Sequence, residues 1–374
     1  MKKVVPLVVA SLAVTLAACT AGDSSPSPAS SPTPASSPSP ASSPSPNLSN
    51  TVMYLNQSPV DGFAPPAANP PKGLVNRYNW LHLQWNSRDL SKATALLAPK
   101  ISYTDHASGK SYETPQQWES GADGIFSASS NAKLINRRYW LSGKHTISQF
   151  QVQGTNNKPY QGHEATNKEF TIDAAEIIEW NSSGQVIGGD LYYDRVGVLL
   201  QLGTIEPPPK QPPAEKNTSG KDPSAPPPPS GLSTTPPATI VERDRWGHDW
   251  WNARDLNPFL PLFNPVFYYV DHPVGKIVST VPEMNEFASH FWDMTSDAQL
   301  INRRYYQAGN LTLVTFTVAG THDRGEKATN KKFSIEGTEF IFWSSEGTGV
   351  GGDMYFDRLT ALNQLGFVPE GFAI

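Results

Sequence analysis

The sequence predicts an α+β protein built from two copies of one domain in tandem, and three observations carry that prediction. The first is an internal repeat. Leu134-Ile135-Asn136-Arg137-Arg138-Tyr139 returns as Leu300-Ile301-Asn302-Arg303-Arg304-Tyr305, an offset of 166 residues. Trp85-Asn86-Ser87-Arg88-Asp89-Leu90 and Tyr103-Thr104-Asp105-His106 return at the same distance. From Ala165-Thr166-Asn167-Lys168 onward the offset is 163, so one three-residue change in a loop relates the copies. The second observation is a change of period within each copy, helix-like at the start and alternating afterwards. The third is a pair of Pro-rich segments that set the copies apart.

In chain order, Lys2-Lys3 followed by the apolar run Val4 to Ala13 reads as a secretory signal. Leu16-Ala17-Ala18-Cys19 has the form of a bacterial lipobox, and resembles the signal in which that cysteine is lipidated and becomes the mature N-terminus. Residues 1–18 are therefore read as a lipoprotein signal peptide. Residues 19–49 are almost entirely Ser, Pro, Ala and Thr after Cys19, with little to bury, and read as a disordered stalk. In an extended polyproline conformation it reaches roughly 90 Å. Residues 50–205 are expected to form the first domain, 206–237 a second Pro-rich linker, and 238–374 the second domain.

Within the first copy, Tyr78 to Trp85 is apolar at helical spacing, and Asp89 suits the N-cap of a short helix through Leu97. Ile101 to Asp105 reads as a strand. Thr114-Pro115-Gln116-Gln117 and, in the second copy, Thr280-Val281-Pro282-Glu283 have the capping-box form, so a longer helix follows in each. Leu134–Ser142, Thr146–Gly154, Lys168–Trp180 and Gln185–Asp194 then read as strands, and Arg195 to Leu202 as a closing helix stopped by Gly203.

The net charge is −5, with no basic run beyond the extreme N-terminus, which leaves no footprint for nucleic acid. The only cysteine is Cys19, so the domains have neither disulfides nor a cysteine-based metal site. A Gly-rich phosphate loop, Gly-x-Ser-x-Gly and a histidine pair at metal-ligand spacing are all missing, and neither cofactor nor metal is expected.

The Trp-Asn-x-Arg-Asp-Leu opening, the Asp-His after the first strand, Gly320-Thr321-His322 with Ala328-Thr329-Asn330-Lys331, and Tyr355-Phe356-Asp357-Arg358 before Gln364-Leu365-Gly366 together resemble the SnoaL-like polyketide cyclase branch of the nuclear transport factor 2-like fold. The resemblance implies two cone-shaped domains, each with N-terminal helices over a strongly curved sheet that encloses a pocket. It also implies cofactor-free acid/base chemistry, with Asp194 and Asp357 as the carboxylates and His106 and His272 as pocket histidines. An N-cap role for both aspartates is equally open, since each directly precedes a helix.

Asp190 and Asp353 share a strand face with Asp194 and Asp357, with Tyr192 and Tyr355 between them, as a polar pocket wall or a solvated face. His106 and His272 are alternatively turn histidines. His322 has no partner in the first copy, where Asn156 stands. Glu176 and Glu339 lie among apolar same-face neighbours, and are read either as paired with an arginine of the Leu-Ile-Asn-Arg-Arg strand or as functional acids. Only one arginine of each Arg-Arg pair can face inward.

These readings add up to an extracytoplasmic protein anchored to a membrane by lipidated Cys19, most simply binding a small hydrophobic ligand in conical pockets. A cyclase- or isomerase-like enzyme is the first alternative, against which location counts. A structural scaffold built on an intramolecular pseudo-dimer of the two domains is the second.

Overall fold

A computed structural model describes residues 53–55, 67–159, 164–206, 219–325 and 327–368. Cys19 and the stalk lie outside these residues. Two mixed sheets with helices give the α+β class, in two copies of one arrangement.

The first copy runs β1 (Met53–Leu55), α1 (Leu74–Asn86), α2 (Leu90–Thr94), β2 (Leu97–Asp105), β3 (Lys110–Tyr112), α3 (Pro115–Ala128), β4 (Lys133–Ser142), β5 (His145–Thr155), β6 (Glu169–Trp180), β7 (Val186–Tyr193) and α4 (Arg195–Leu202). The second repeats it as α5 (Ile240–Asn252), a 3₁₀ turn (Leu260–Leu262), β8 (Phe263–Asp271), β9 (Lys276–Thr280), α6 (Val281–Met294), β10 (Gln299–Ala308), β11 (Leu311–Thr321), β12 (Lys332–Trp343), β13 (Gly349–Phe356) and α7 (Arg358–Leu365).

Sheet order is β1-β4-β5-β6-β7-β2-β3 in the first copy and β10-β11-β12-β13-β8-β9 in the second. In each, the last long strand returns to pair in parallel with the first, β7 on β2 and β13 on β8, while every other pair is antiparallel.

Local chemistry accounts for most of the boundaries. Asp89 accepts from Lys92 N–H, Thr114 from Gln117 N–H and Thr280 from Glu283 N–H; at Thr280 the reciprocal Glu283 bond completes a capping box. Gly203 and Gly366 end the closing helices at φ 67° and 78°, which an L side chain rarely adopts. One expectation fails. The helix after Asp89 stops at Thr94 and Leu97 opens β2, because Leu97 pairs with Val186 and is buried there. The hairpin strands β3 and β9 were not foreseen.

The repeated Leu-Ile-Asn-Arg-Arg stretch is a β-bulge. Register shifts between Ile135 and Arg138, and again between Ile301 and Arg304, with Asn136 and Asn302 at φ 50° and 53°. The bulge turns the first arginine of each pair inward and the second outward. Arg137 is buried and Arg138 exposed, and Arg303 reaches Asp249 of α5 at 2.7 Å while Arg304 faces away.

The outer face of each sheet carries Trp140, Ile147, Ile177 and Tyr192, or Leu311, Leu313, Phe340 and Tyr355, and these bury one another. The contact is closed at one end by two reciprocal ion pairs. Arg358 donates from its backbone N–H and from its guanidinium to Asp194, with Nη2 at 2.7 Å. Arg195 does the same to Asp357, also at 2.7 Å. Part of the second Pro-rich segment is also fixed in place: Asp222 accepts from Arg254 at 2.8 Å and from Arg324 at 2.7 Å, and Trp246 Nε1 donates to Ser233 O at 2.6 Å.

Asp194 is 8 % and Arg358 4 % exposed, so removing one partner strands a buried charge. Arg358→Met should destabilise the protein by about 3–5 kcal/mol in urea unfolding, and adding Asp194→Asn should restore most of it. A single substitution as mild as a surface-pair loss, under about 1 kcal/mol, would mean the pair is solvated.

Candidate functional site

The second domain holds a cavity between α5, α6 and the concave face of its sheet, enclosing about 880 Å³ of atom-free space with its mouth included. Its wall is mainly apolar, from Trp251, Phe263, Phe287, Phe291, Phe316 and Ile335 among others. Three polar side chains interrupt it: His248, Tyr269 and Glu339. A concave apolar site with a few converging polar groups is the usual form of a small-molecule site.

Glu339 is bonded to each of the other two. Glu339 accepts from the Tyr269 hydroxyl at 2.6 Å and pairs with His248 Nε2 at 2.8 Å. His248 Nδ1 lies 3.1 Å from the Tyr305 hydroxyl and 3.5 Å from Asp244 Oδ1, one helical turn earlier on α5. Asp244 is 1 % exposed. Burial pushes its carboxyl up to about 6, against the opposing pull of His248. Burial would lower the imidazole of His248, but Asp244 and Glu339 outweigh it and the net shift is upward.

Asp244, His248 and Glu339 have ligand atoms within 4.8 Å of one another and are donor types that suit a divalent cation. The two imidazole nitrogens already face Tyr305 and Glu339, and Asp244 lies beside the ring as a buried carboxyl whose oxygens have no hydrogen-bond partner among the described residues.

The matched group in the first domain is different. Glu176 pairs with His82 Nε2 at 3.3 Å and accepts hydroxyl protons from Tyr103 and Tyr78. His82 Nδ1 meets the Tyr139 hydroxyl at 2.6 Å. Tyr78 thus stands where the second copy has Asp244. Burial lowers the His82 imidazole, and Glu176 only partly opposes this.

Histidine and tyrosine hold both glutamates, and in the second copy the inward arginine, Arg303, reaches Asp249. His82 and His248 were not singled out from sequence, although they recur at the same helical position with the repeat offset. Asp244 leaves no such trace, because it is a position where the copies differ.

The remaining sequence candidates lie elsewhere. Asp194 and Asp357 cap the closing helices, accepting from Gly197 and Thr360 N–H, and take the arginine pairs described above. Neither is on the cavity wall. Burial raises the Asp194 carboxyl despite Arg358.

Asp190, Tyr192, Asp353 and Tyr355 form neither a pocket wall nor a solvated face, since they look across at the other sheet. Asp190 accepts from Arg304 at 2.9 Å and Asp353 from Gln149 at 2.8 Å, each bond crossing between copies. His106 pairs with Asp190 at 2.8 Å and stacks on Tyr192, and His272 pairs with Asp353 at 2.9 Å and stacks on Tyr355. His322 accepts from Thr329 N–H at 3.2 Å and clamps a loop. Asn156 does the same for Thr166 in the first copy, which explains the exchange of residue.

Residues 76–202 match the SnoaL-like polyketide cyclase family model. No curated protein matches the chain. Among solved structures, IdmH, a putative polyketide cyclase from Streptomyces antibioticus, is 18% identical over 33% of this chain and 93% of that chain, with a TM-score of 0.31. A putative polyketide cyclase from Xanthomonas campestris pv. campestris is 15% identical over 35% and 99%, with a TM-score of 0.32. A protein with a ketosteroid isomerase-like fold from Catenulispora acidiphila, in complex with trimethylamine, is 20% identical over 36% and 96%, with a TM-score of 0.30.

His272 sits between Asp353 and, at 3.4 Å, Asp173 of the other copy. Burial opposes its charge, but hydrogen bonds to the two aspartates and their negative charge outweigh it and push the imidazole from 6.5 up to about 9. Stability from this group is complete below pH 6.5 and lost as pH rises through about 9. Asp173 is 36% exposed, so solvent trims the effect to about 2 kcal/mol. Urea midpoints from pH 6 to 10 should fall in that window for the wild type and stay flatter for His272→Asn.

Proposed function

We propose that this is an extracytoplasmic, lipid-anchored protein whose second domain binds a small, largely hydrophobic ligand. The cavity carries the reading. Its walls suit an apolar body, and Tyr269, His248 and Glu339 converge to meet one polar group on the ligand, a carbonyl or a hydroxyl. The SnoaL-like match over residues 76–202 supports the same class of ligand in this fold. Anchoring rests on the Leu16-Ala17-Ala18-Cys19 sequence alone. Among the described residues no helix is long and apolar enough to cross a membrane.

The bonds across the outer sheet faces favour an intramolecular pseudo-dimer as the frame for this site. Joining the copies in one chain keeps each at high effective concentration for the other.

A cyclase- or isomerase-like acid/base activity is the second reading. It is favoured by one observation: a carboxylate and an imidazole bonded to each other on the wall of an apolar cavity. In that reading Glu339 and His248 are the reacting pair, in place of Asp194 and Asp357.

Native mass spectrometry of the lipid-free chain from its own host should show one small molecule bound. Ala288→Trp, which fills the cavity from α6, should abolish this and cost about 1–3 kcal/mol of stability by overpacking. Ligand retained at full occupancy in Ala288→Trp would place binding elsewhere. Labelling with radioactive palmitate should be lost in Cys19→Ala.

A further inference from the structure

The copies keep the same histidine and the same glutamate, but differ in the third residue of the group. At the position four residues before the histidine, the first domain has Tyr78 and the second Asp244. We propose that this exchange, accompanied by Ser148 beside Tyr78 where the second copy has Val314, divides the roles of the domains: Asp244 positions His248 and Glu339 for proton exchange with a ligand in the second domain, and Tyr78 retires the matching pair in the first. The proposal rests on the reading of the second-domain cavity as a ligand site.

In the second domain a row of polar groups runs from the core to the cavity, with Asp244 buried in its middle and neither of its oxygens hydrogen-bonded among the described residues. Trp343 Nε1 donates to the Thr312 hydroxyl at 2.9 Å, and Thr312 lies near Asp244. Asp244 faces His248 Nδ1, and His248 Nε2 faces Glu339 on the cavity wall. A buried negative charge one helical turn from an imidazole favours the ring's protonated form. The other charged or titratable groups facing this pair are Arg303 from β10, whose charge opposes protonation of the ring, with Tyr305 on the same strand and Tyr269 on β8.

In the first domain Trp180 Nε1 donates to Thr146 at 2.8 Å, the same start. The chain then ends differently, because Tyr78 brings a hydroxyl donor to Glu176 where Asp244 brings a negative charge to the histidine. Glu176 accepts from two tyrosines and pairs with a histidine, and a carboxylate engaged by three groups is poorly placed to take a proton from a ligand.

The proton step in the second domain is then balanced without a cofactor. A C–H or O–H bond of the ligand gives its proton to a Glu339 oxygen, and the electron pair stays on the ligand as an enolate or alkoxide. The adjacent imidazolium stabilises that charge, and Glu339 returns the proton to the same or another atom. The ligand class is an apolar compound with one enolisable carbonyl or one acidic hydroxyl.

The test is histidine-ring NMR on the folded lipid-free chain, with the signals of His248 and His82 identified by their loss in His248→Asn and His82→Asn. His248 should titrate above the ordinary 6.5, and His82 below it. Asp244→Asn should shift the His248 protonation equilibrium at least tenfold toward the neutral ring, and Asp244→Glu should recover most of it. Tyr78→Asp should raise His82 in the first domain.

A wild-type His248 that titrates below 6.5, or one unmoved by Asp244→Asn, overturns the proposal. So does a His248 signal that titrates normally only after chelator treatment, since the group would then hold a metal ion. None of these readings uses a ligand. Failure to find a bound molecule by mass spectrometry therefore counts against the cavity reading, and leaves the positioning role of Asp244 to be decided by NMR.

Discussion

Each domain lays one curved sheet over its helices, and that leaves a second sheet face to be accounted for. The outer faces carry Trp140, Ile177, Phe340 and Tyr355 at positions where alternation would otherwise put polar groups, and such faces are unstable in water. Their mutual burial explains why so many charged groups gather at the edge of the same contact. Asp190, Asp194, Asp353 and Asp357 are each matched to an arginine, a histidine or an amide, and most of those bonds reach the opposite copy. Ion pairs of this kind add little attraction over well-packed apolar groups, yet they specify which face meets which and in what register.

That constraint separates two sets of residues that look alike in sequence. A strand sends alternate residues to opposite faces, so β7 and β13 put Asp190, Tyr192, Asp353 and Tyr355 on the outer face. The inner residues of β6 and β12 look into the helices. Glu176 and Glu339 therefore share an environment with His82 and His248, while the aspartates belong to the contact between sheets. The carboxylate–histidine pairs therefore lie in the middle of the strand before the last, and the end of the last strand belongs to the contact between sheets.

The duplication, the order of elements and most boundaries were legible because they depend on local signals: caps at Asp89, Thr114 and Thr280, glycines at positive φ, and a strict alternation in the long strands. The end of α2 was not, because Leu97 is recruited by pairing with Val186, a contact 89 residues away in the chain that no local propensity contains. Which face of β7 would be buried was illegible for the same reason. Its partner lies in the other copy, and a row of Asp, Tyr and Asp has no sequence mark that separates a pocket from a contact. The bulge at Asn136 and Asn302 was hidden too, although once seen it explains why both arginines recur: one fills the interior and the other reaches outward.

Duplication also gives a way to reason about chemistry that a single domain lacks. Where both copies keep a residue, its role is common to the fold; His322 and Asn156 clamp the same loop with different side chains, so neither need be functional. Where the copies keep a histidine and glutamate, they exchange the residue beneath them and, opposite the glutamate, Ser148 for Val314, and the electrostatics of the pair change. A tyrosine adds a donor and leaves the imidazole in an apolar setting that disfavours its charge. An aspartate at the same place reverses that balance at the cost of burying a second carboxylate, a cost with no structural return, since Tyr78 shows that the fold closes well without it. A costly buried charge that the other copy does without is better explained by what it does to His248 than by what it does for the fold.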